Sequence, residues 1–216
     1  MMWRCPLCLA QTSELYHCDQ RPQCVRHYYQ CATCALVFVP PPWHLSADEE
    51  KAHYDRHENS PLDAGYRRFL GRLLTPLNEK LFPGARGLDF GSGPGPTLSL
   101  MFEEAGHPMA IYDPFYAPDT SVLNDRYDFI TATEVVEHLS APGEVLAMLA
   151  SRLPPGGYLG LMTKRVKDPT AFARWHYIQD PTHVVFFSES TFRWWARENG
   201  FAVEFPGPDT VIMQKH

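Results

Sequence analysis

Three constellations in this 216-residue chain carry residue types that do chemistry. The run EVVEH places Glu134, Glu137 and His138 together. If a helix starts there, the two carboxylates lie one turn apart on one face, with an imidazole beside them. Two carboxylates and an imidazole suit Mg²⁺ or another divalent ion. The run GLDFGSGPG, residues 87–95, ends a short apolar segment in Asp89 and follows it with Gly91, Gly93 and Gly95. Glycines let the backbone turn tightly and approach a ligand, and the helix start that follows offers free N–H groups. A second apolar segment, MAIYD, ends in Asp113, an acid at the distance expected of a group that holds ribose hydroxyls. The third constellation is two CxxC pairs, Cys5/Cys8 and Cys31/Cys34. Four thiolates on two knuckles suit a tetrahedral Zn²⁺.

The elements that must position these groups follow from pattern. All six cysteines fall within the first 34 residues, and strand-like HYYQC and ALVFV flank the second knuckle, as in a zinc ribbon. So short a segment buries little core, and a metal would supply its folding energy. Cys18 and Cys24, with His17 and His27, match no common ligand spacing and read as partly buried thiols. Residues 46–83 read as helical. Ser46 caps with Glu49 three residues later, Pro76 kinks or divides the stretch, and Phe69, Leu70, Leu73, Leu74, Leu77 and Leu81 fall largely on one face. From 84 onward strand and helix signals alternate: RGLDF, a helix ending at Gly106, MAIY, YDFITAT, a helix over 142–152, GYLGLMT, a helix capped by Ser188 or Ser190 and closed by Gly200, then FAVEF and TVIMQ. The expected fold is α/β, a Rossmann-like doubly wound sheet whose last strand is antiparallel, with a small N-terminal zinc ribbon. The expected divisions are 1–42 (ribbon), 43–83 (helical lead-in and lid) and 84–216 (sheet domain).

From 84 to 216 the chain resembles the class I S-adenosylmethionine-dependent methyltransferases. GLDFGSGPG is similar to their first motif, Asp113 to their ribose acid, YDFITATEVVEHL to their fourth-strand motif, and LPPGGYLGLMT to their turn and fifth strand. The resemblance implies S-adenosylmethionine as cofactor, with Asp89, Gly91, Gly93, Gly95, Asp113 and Glu134 around it. Tyr127 follows Asp113 by 14 positions, where the family places a helix, a third strand and an adenine loop. Here only a short strand, TSVL, fits. EVVEH resembles the metal-binding ExxEH of ubiquinone-pathway O-methyltransferases. It is also similar to that of small-RNA 2′-O-methyltransferases, which add a distal histidine; His183 in HVVFFSESTFRWWA matches that position. The resemblance implies catalytic roles for Glu137, His138 and His183. In metal-free relatives the same run faces the cofactor and caps a helix, and that reading stands beside the first.

Trp175, His176 and Tyr177 fall where the family builds substrate pockets. Tyr54, His57 and Asn59 precede the lid, and Tyr66 and Arg67 are candidates for the methionine carboxylate. A net charge of −6, and three basic against two acidic residues between Met1 and Pro40, weigh against broad nucleic-acid binding. No apolar run approaches a membrane span and no signal-peptide pattern opens the chain, so the expectation is a cytoplasmic enzyme without DNA or membrane partners. The expected activity is O-methylation of a small molecule, metal-assisted or not. The alternatives are RNA 2′-O-methylation and a zinc-stabilised module that binds cofactor without catalysis.

Overall fold

The computed structural model describes residues 3–21, 24–56 and 60–216. Two sheets organise them. The first begins as a ribbon: β1 (Ser13–Arg21), β2 (Cys24–Cys31) and β3 (Val37–Phe38) run antiparallel. A short 3₁₀ turn at Pro41–Trp43 then leads to α1 (Ala47–Tyr54) and α2 (Ala64–Asn78). The second sheet is built from β4 (Gly87–Phe90), α3 (Thr97–Glu104), β5 (Met109–Tyr112), β6 (Phe129–Thr133), α4 (Pro142–Ser151) and β7 (Tyr158–Met162). After α5 (Pro169–Ala173), the strand β8 (Val185–Phe186) leaves this sheet and pairs with β3, Val37 opposite Phe186 and Phe38 opposite Val185. Then α6 (Glu189–Asn199), β9 (Phe201–Glu204) and β10 (Thr210–Lys215) close the chain. The large sheet has the order β5-β4-β6-β7-β10-β9. Its first four strands are parallel, and β10 is antiparallel to both neighbours. This is the expected doubly wound sheet with its antiparallel last strand.

Alternation along the strands assigns the two faces. Phe129, Met162 and Ile212 point to α2 and α3, where Leu70, Leu73, Leu77, Leu98 and Phe102 are buried. Ile130, Leu159, Leu161, Val211 and Met213 point to the opposite face, with Leu146 and Leu149 of α4 and Phe192 and Trp195 of α6. That second core continues without interruption into Tyr28, Leu36, Val37 and Phe38 of the ribbon. Ribbon and sheet domain therefore share one core and, through β3 and β8, one sheet.

Local signals explain the ends of the helices. Ser46 accepts from Glu49 N while the Glu49 side chain accepts from Ser46 N, a complete capping box. Ser188, not Ser190, caps α6, and Gly200 closes it in the left-handed conformation at φ 73°. Pro76 neither kinks nor divides α2; it sits in the last turn. A proline there takes the N–H from the Arg72 carbonyl, and the buried Thr210 hydroxyl donates to that oxygen instead, at 3.5 Å. The helical stretch expected over 46–83 is two helices separated at residues 55–63, of which 57–59, including His57 and Asn59, lie outside the described residues. TSVL is not a strand. Asp119 accepts from Ser121 N and starts a 3₁₀ turn over Thr120–Asn124, so the large sheet ends at β5. Among the described residues no helix is long and apolar enough to cross a membrane.

Gly160 of β7 marks the closest approach of α2 to the sheet. A Cβ there would lie 2.9 Å from Leu77 Cδ2 and 3.0 Å from Leu73 Cδ1. Gly160→Val is expected to destabilise the fold by about 1–3 kcal/mol through overpacking, read as a lowered urea midpoint at unchanged slope.

Candidate active site

The carboxyl ends of β4, β5 and β6 open into a cavity of about 570 Å³. Gly91 and Gly93, Asp113, Glu134, His138 and His183 all line it. Gly91 (φ 75°) and Gly93 (φ 65°) follow β4 in the left-handed region. A Cβ on Gly91 would meet Val135 Cγ2 at 2.4 Å, so glycine is required on both counts. Gly91 N and Ser92 N donate to the Tyr112 carbonyl, and Gly93 N donates to Asp113 Oδ2 at 2.9 Å. Asp113 Oδ1 in turn accepts from Phe115 N and Tyr116 N. The acid thus ties the glycine turn to the loop after β5 and keeps lone pairs toward the cavity. Gly95 lies outside the wall; its carbonyl accepts from Thr97 N at the start of α3. Asp89 is buried beneath the turn. Thr131 Oγ1 donates to one of its oxygens and Ser99 Oγ to the other, and burial raises its carboxyl to about 6. It braces the turn from below.

In place of the family's third strand, the loop after β5 supplies Phe115 and Tyr116 to the wall, and α1 closes over them. The Tyr116 hydroxyl donates to Asp55 Oδ1 at 2.6 Å, Lys51 Nζ lies 5.3 Å from the Tyr116 ring centroid, and the Tyr54 ring lies 5.9 Å from Phe115 and 5.3 Å from His138. No residue of α1 is buried; polar and ring contacts hold it against the cavity wall. Tyr66 also reaches the cavity, but Arg67 does not; it pairs with Glu104 on the outer face.

At the far end of the cavity the expected helix over EVVEH is absent. Glu134 sits in the left-handed region (φ 52°) and donates its N–H to the Met162 carbonyl; a single 3₁₀ turn then covers Val136–His138. The two glutamates therefore do not share a helix face. Instead Glu137, His138 and His183 come together, one ligand atom from each lying within 4.8 Å of the others. Glu134 stands apart from that cluster, with Oε1 buried and without a hydrogen-bond partner. Glu137 is fully buried. Its Oε1 accepts from the Tyr177 hydroxyl, while Oε2 has no partner. His183 Nδ1 donates to the Tyr177 carbonyl at 2.7 Å and His138 Nδ1 to the Thr182 carbonyl at 3.3 Å. Both rings thereby turn Nε2 away from those carbonyls, the arrangement that orients metal-binding histidines; His183 Nε2 lies 3.8 Å from Asp180 Oδ2.

Burial dominates the electrostatics. It raises Glu134 to about 8 and Glu137 to about 7, with Glu137 adding to the rise at Glu134. It lowers His138 to about 3 and His183 below its usual range. The imidazoles are neutral, the form that binds cations. Among the described residues five carboxylates line the cavity (Glu50, Asp89, Asp113, Glu134, Asp180), and neither Lys nor Arg does. Of the aromatic loop, Trp175, His176 and Tyr177 do not line it. His176 is exposed beside Lys164 at 2.8 Å. Tyr177 works from behind: its hydroxyl holds Glu137 and meets Thr163 Oγ1 at 3.2 Å, and its carbonyl holds His183. Sequence reading placed Tyr177 in the pocket and missed Thr163, Thr131 and Ser99. Hydroxyl residues on buried strand and helix faces carry no signal of what they brace.

The four cysteines of the two knuckles also converge. Cys5 Sγ lies 3.5 Å from Cys34 Sγ, and Cys8 Sγ 3.5 Å from Cys31 Sγ, close to the roughly 3.8 Å edge of a tetrahedron with ~2.3 Å Zn–S bonds. The hydrogen bond from Cys34 brings the Cys5 thiol down to about 6, and burial pushes Cys8 up to about 12. Among the described residues no second cluster forms around Cys18. His17 packs on Tyr28 and Phe172, and His27 on Trp43; the Cys24 side chain lies outside the described part.

Gly91→Ala is expected to cost about 2–4 kcal/mol, left-handed strain adding to the clash with Val135. Chemical denaturation measures it, and a loss under 1 kcal/mol would contradict the geometry.

A model of the family described as Methyltransferase domain matches residues 62–204. The chain is 27% identical over 150 residues to the ubiquinone biosynthesis O-methyltransferase of Cereibacter sphaeroides, covering 67% of this chain and 57% of that protein. It is 26% identical over 93 residues to the protein of the same name from Proteus mirabilis, covering 43% and 38%. The chain thus spans about half the length of the curated relatives it matches. In fold it is similar to the magnesium protoporphyrin IX methyltransferase of Synechocystis PCC 6803, solved with bound SAH, at a TM-score of 0.50 and 15% identity over 78% of this chain and 94% of that one. With its sheet, its glycine turn and a family match over most of its length, the chain belongs to the methyltransferase-domain family.

Proposed function

We propose that the chain is an S-adenosylmethionine-dependent O-methyltransferase of a small hydroxylated molecule, assisted by a divalent cation. The observation that supports this reading is one cavity running from the Gly91–Gly93 turn and Asp113 to Glu134, His138 and His183. Its volume, about 570 Å³, lies within the range of small-molecule sites, and the Gly91 turn at its edge packs so closely on Val135 that no Cβ fits there.

When bound, S-adenosylmethionine supplies a methyl group on a positively charged sulfur. Asp113 would hold the ribose hydroxyls, the turn at Gly91 and Gly93 the methionyl part, and Phe115 and Leu139 the base. The acidic lining favours a cationic cofactor and a neutral acceptor, and disfavours a phosphate-bearing one; RNA is the weaker reading for that reason. The orphaned Glu137 Oε2 and its convergence with the His138 and His183 rings fit a divalent cation, for which Glu137, His138 and His183 would be the ligands. An ion held there would supply a Lewis acid to an acceptor hydroxyl. Glu134, whose buried Oε1 has no hydrogen-bond partner, would take the acceptor proton in its ionised form, which a cation nearby favours. The four-cysteine cluster fits a structural Zn²⁺ in the ribbon.

Calorimetry tests the cofactor: S-adenosylmethionine binds the wild type, and Asp113→Ala weakens it about tenfold or more through the lost charged acceptor. Absence of binding would sink the reading. Electron paramagnetic resonance tests the cation: one Mn²⁺ binds per chain, and Glu137→Gln weakens it about 10-fold or more. Methyl transfer is then expected to a small hydroxylated acceptor, stimulated by the same ion. Cofactor and cation binding with no transfer to any hydroxylated acceptor would instead favour a binding module.

A further inference from the structure

The segment from Tyr177 to Val184 lies between the ribbon and the Glu137–His138–His183 cluster, and its backbone is claimed from both sides. On the inner side, the Tyr177 and Thr182 carbonyls accept from His183 Nδ1 and His138 Nδ1, and Val184 N donates to the Glu137 carbonyl at 2.8 Å. On the outer side, the ribbon supplies four donors. Arg26 Nη1 donates to the Asp180 carbonyl at 3.0 Å and Nη2 to the His183 carbonyl at 2.7 Å. The Tyr28 hydroxyl donates to the Ile178 carbonyl at 3.1 Å, and Val39 N to the Val184 carbonyl at 2.8 Å.

Arg26 is the unusual member. It is a cation only 3% exposed, on β2, two residues from Tyr28 and so on the same strand face, with its guanidinium 5.7 Å from the Tyr28 ring centroid. Asp19 of β1, also buried, is its partner in register. A buried guanidinium is costly unless its donors are used. Here two of them grip the carbonyl of His183 itself and that of the residue three before it. Such bidentate contact fixes direction as well as distance.

We propose that Arg26 is a positioning residue for the cation-and-acceptor site: through it, the ribbon holds His183 in place from outside the cavity. Arg26 touches neither cofactor turn nor cavity. It acts through the backbone of His183, with Tyr28 in a lesser, uncharged role. The proposal rests on the cation reading of Glu137, His138 and His183, and its test separates the two.

Three readouts on the full chain decide it, for Arg26→Met, Arg26→Lys and Tyr28→Phe. Affinity for S-adenosylmethionine is expected to stay within about threefold, because the Gly91–Asp113 cradle stands on β4 and β5; this also reports folding. Mn²⁺ affinity, read by electron paramagnetic resonance, is expected to fall about 10- to 100-fold in Arg26→Met and less in Arg26→Lys, the range seen when a group orienting a ligand is lost. The exchange-protected His183 Nδ1–H proton resonance, present in the wild type because that proton is buried on the Tyr177 carbonyl, is expected to disappear in Arg26→Met. Wild-type Mn²⁺ affinity together with an intact His183 resonance in Arg26→Met would overturn the proposal. If the wild type itself binds no Mn²⁺, the cation reading fails alone, and the His183 resonance decides the role of Arg26. If Arg26→Met does not fold, Arg26→Lys and Tyr28→Phe carry the decision by the same signals: a lost or shifted resonance supports the proposal, and an unchanged one overturns it.

Discussion

Buried backbone cannot be left unpaired, and one irregular stretch of this chain makes that rule govern the whole molecule. Residues 177–187 cross the interior between two sheets with only two residues in a strand. Their carbonyls and N–H groups cannot form a regular ladder, and apart from residues 179–181 the stretch is buried. Each needs a specific partner at a cost of about 1–3 kcal/mol if it is missing. The ribbon supplies one set of partners and the EVVEH turn the other. Consequently the ribbon, the loop and the chemical cluster form one interlocked unit, and the shared core of Tyr28, Phe186 and their neighbours follows from the same need to cover that stretch.

The second organising force is desolvation. The cavity gathers carboxylates without a lysine or arginine on its wall, and the two glutamates nearest the chemistry are raised far above their solution values. By itself that is an unfavourable arrangement. A positive charge entering the cavity would relieve that cost, because it favours the ionised carboxylates that burial disfavours.

Much of this was legible in the sequence because it is local. Glycines at alternate positions after an apolar run, an acid ending the next strand, serine with glutamate three residues on, and a glycine after a helical period each have one physical solution. They gave the sheet, the cofactor turn and the helix ends. What was illegible depends on distant parts of the chain. The helix expected at EVVEH failed because Glu134 takes a left-handed conformation to donate its N–H to Met162, a partner from the next strand. Arg67 resembled a carboxylate ligand until the fold turned it toward Glu104. Tyr177 was recognisable as functional, yet not as a brace, since its two partners lie on opposite sides of it. Arg26 carried no signal at all: its acceptors are more than 150 positions away.

The short path from Asp113 to Tyr127 has a consequence for modularity. The wall beyond β5 is borrowed from earlier in the chain: Tyr116 leans on Asp55, and Phe115 on Tyr54. It is assembled from two pieces of chain some sixty residues apart, one of them a helix with no buried residue of its own. The parallel sheet therefore does not enclose the cavity by itself. Grafting a different N-terminal segment onto it would preserve the scaffold while leaving that side open to water, so the segment before the glycine turn and the loop after β5 are coupled parts of one wall.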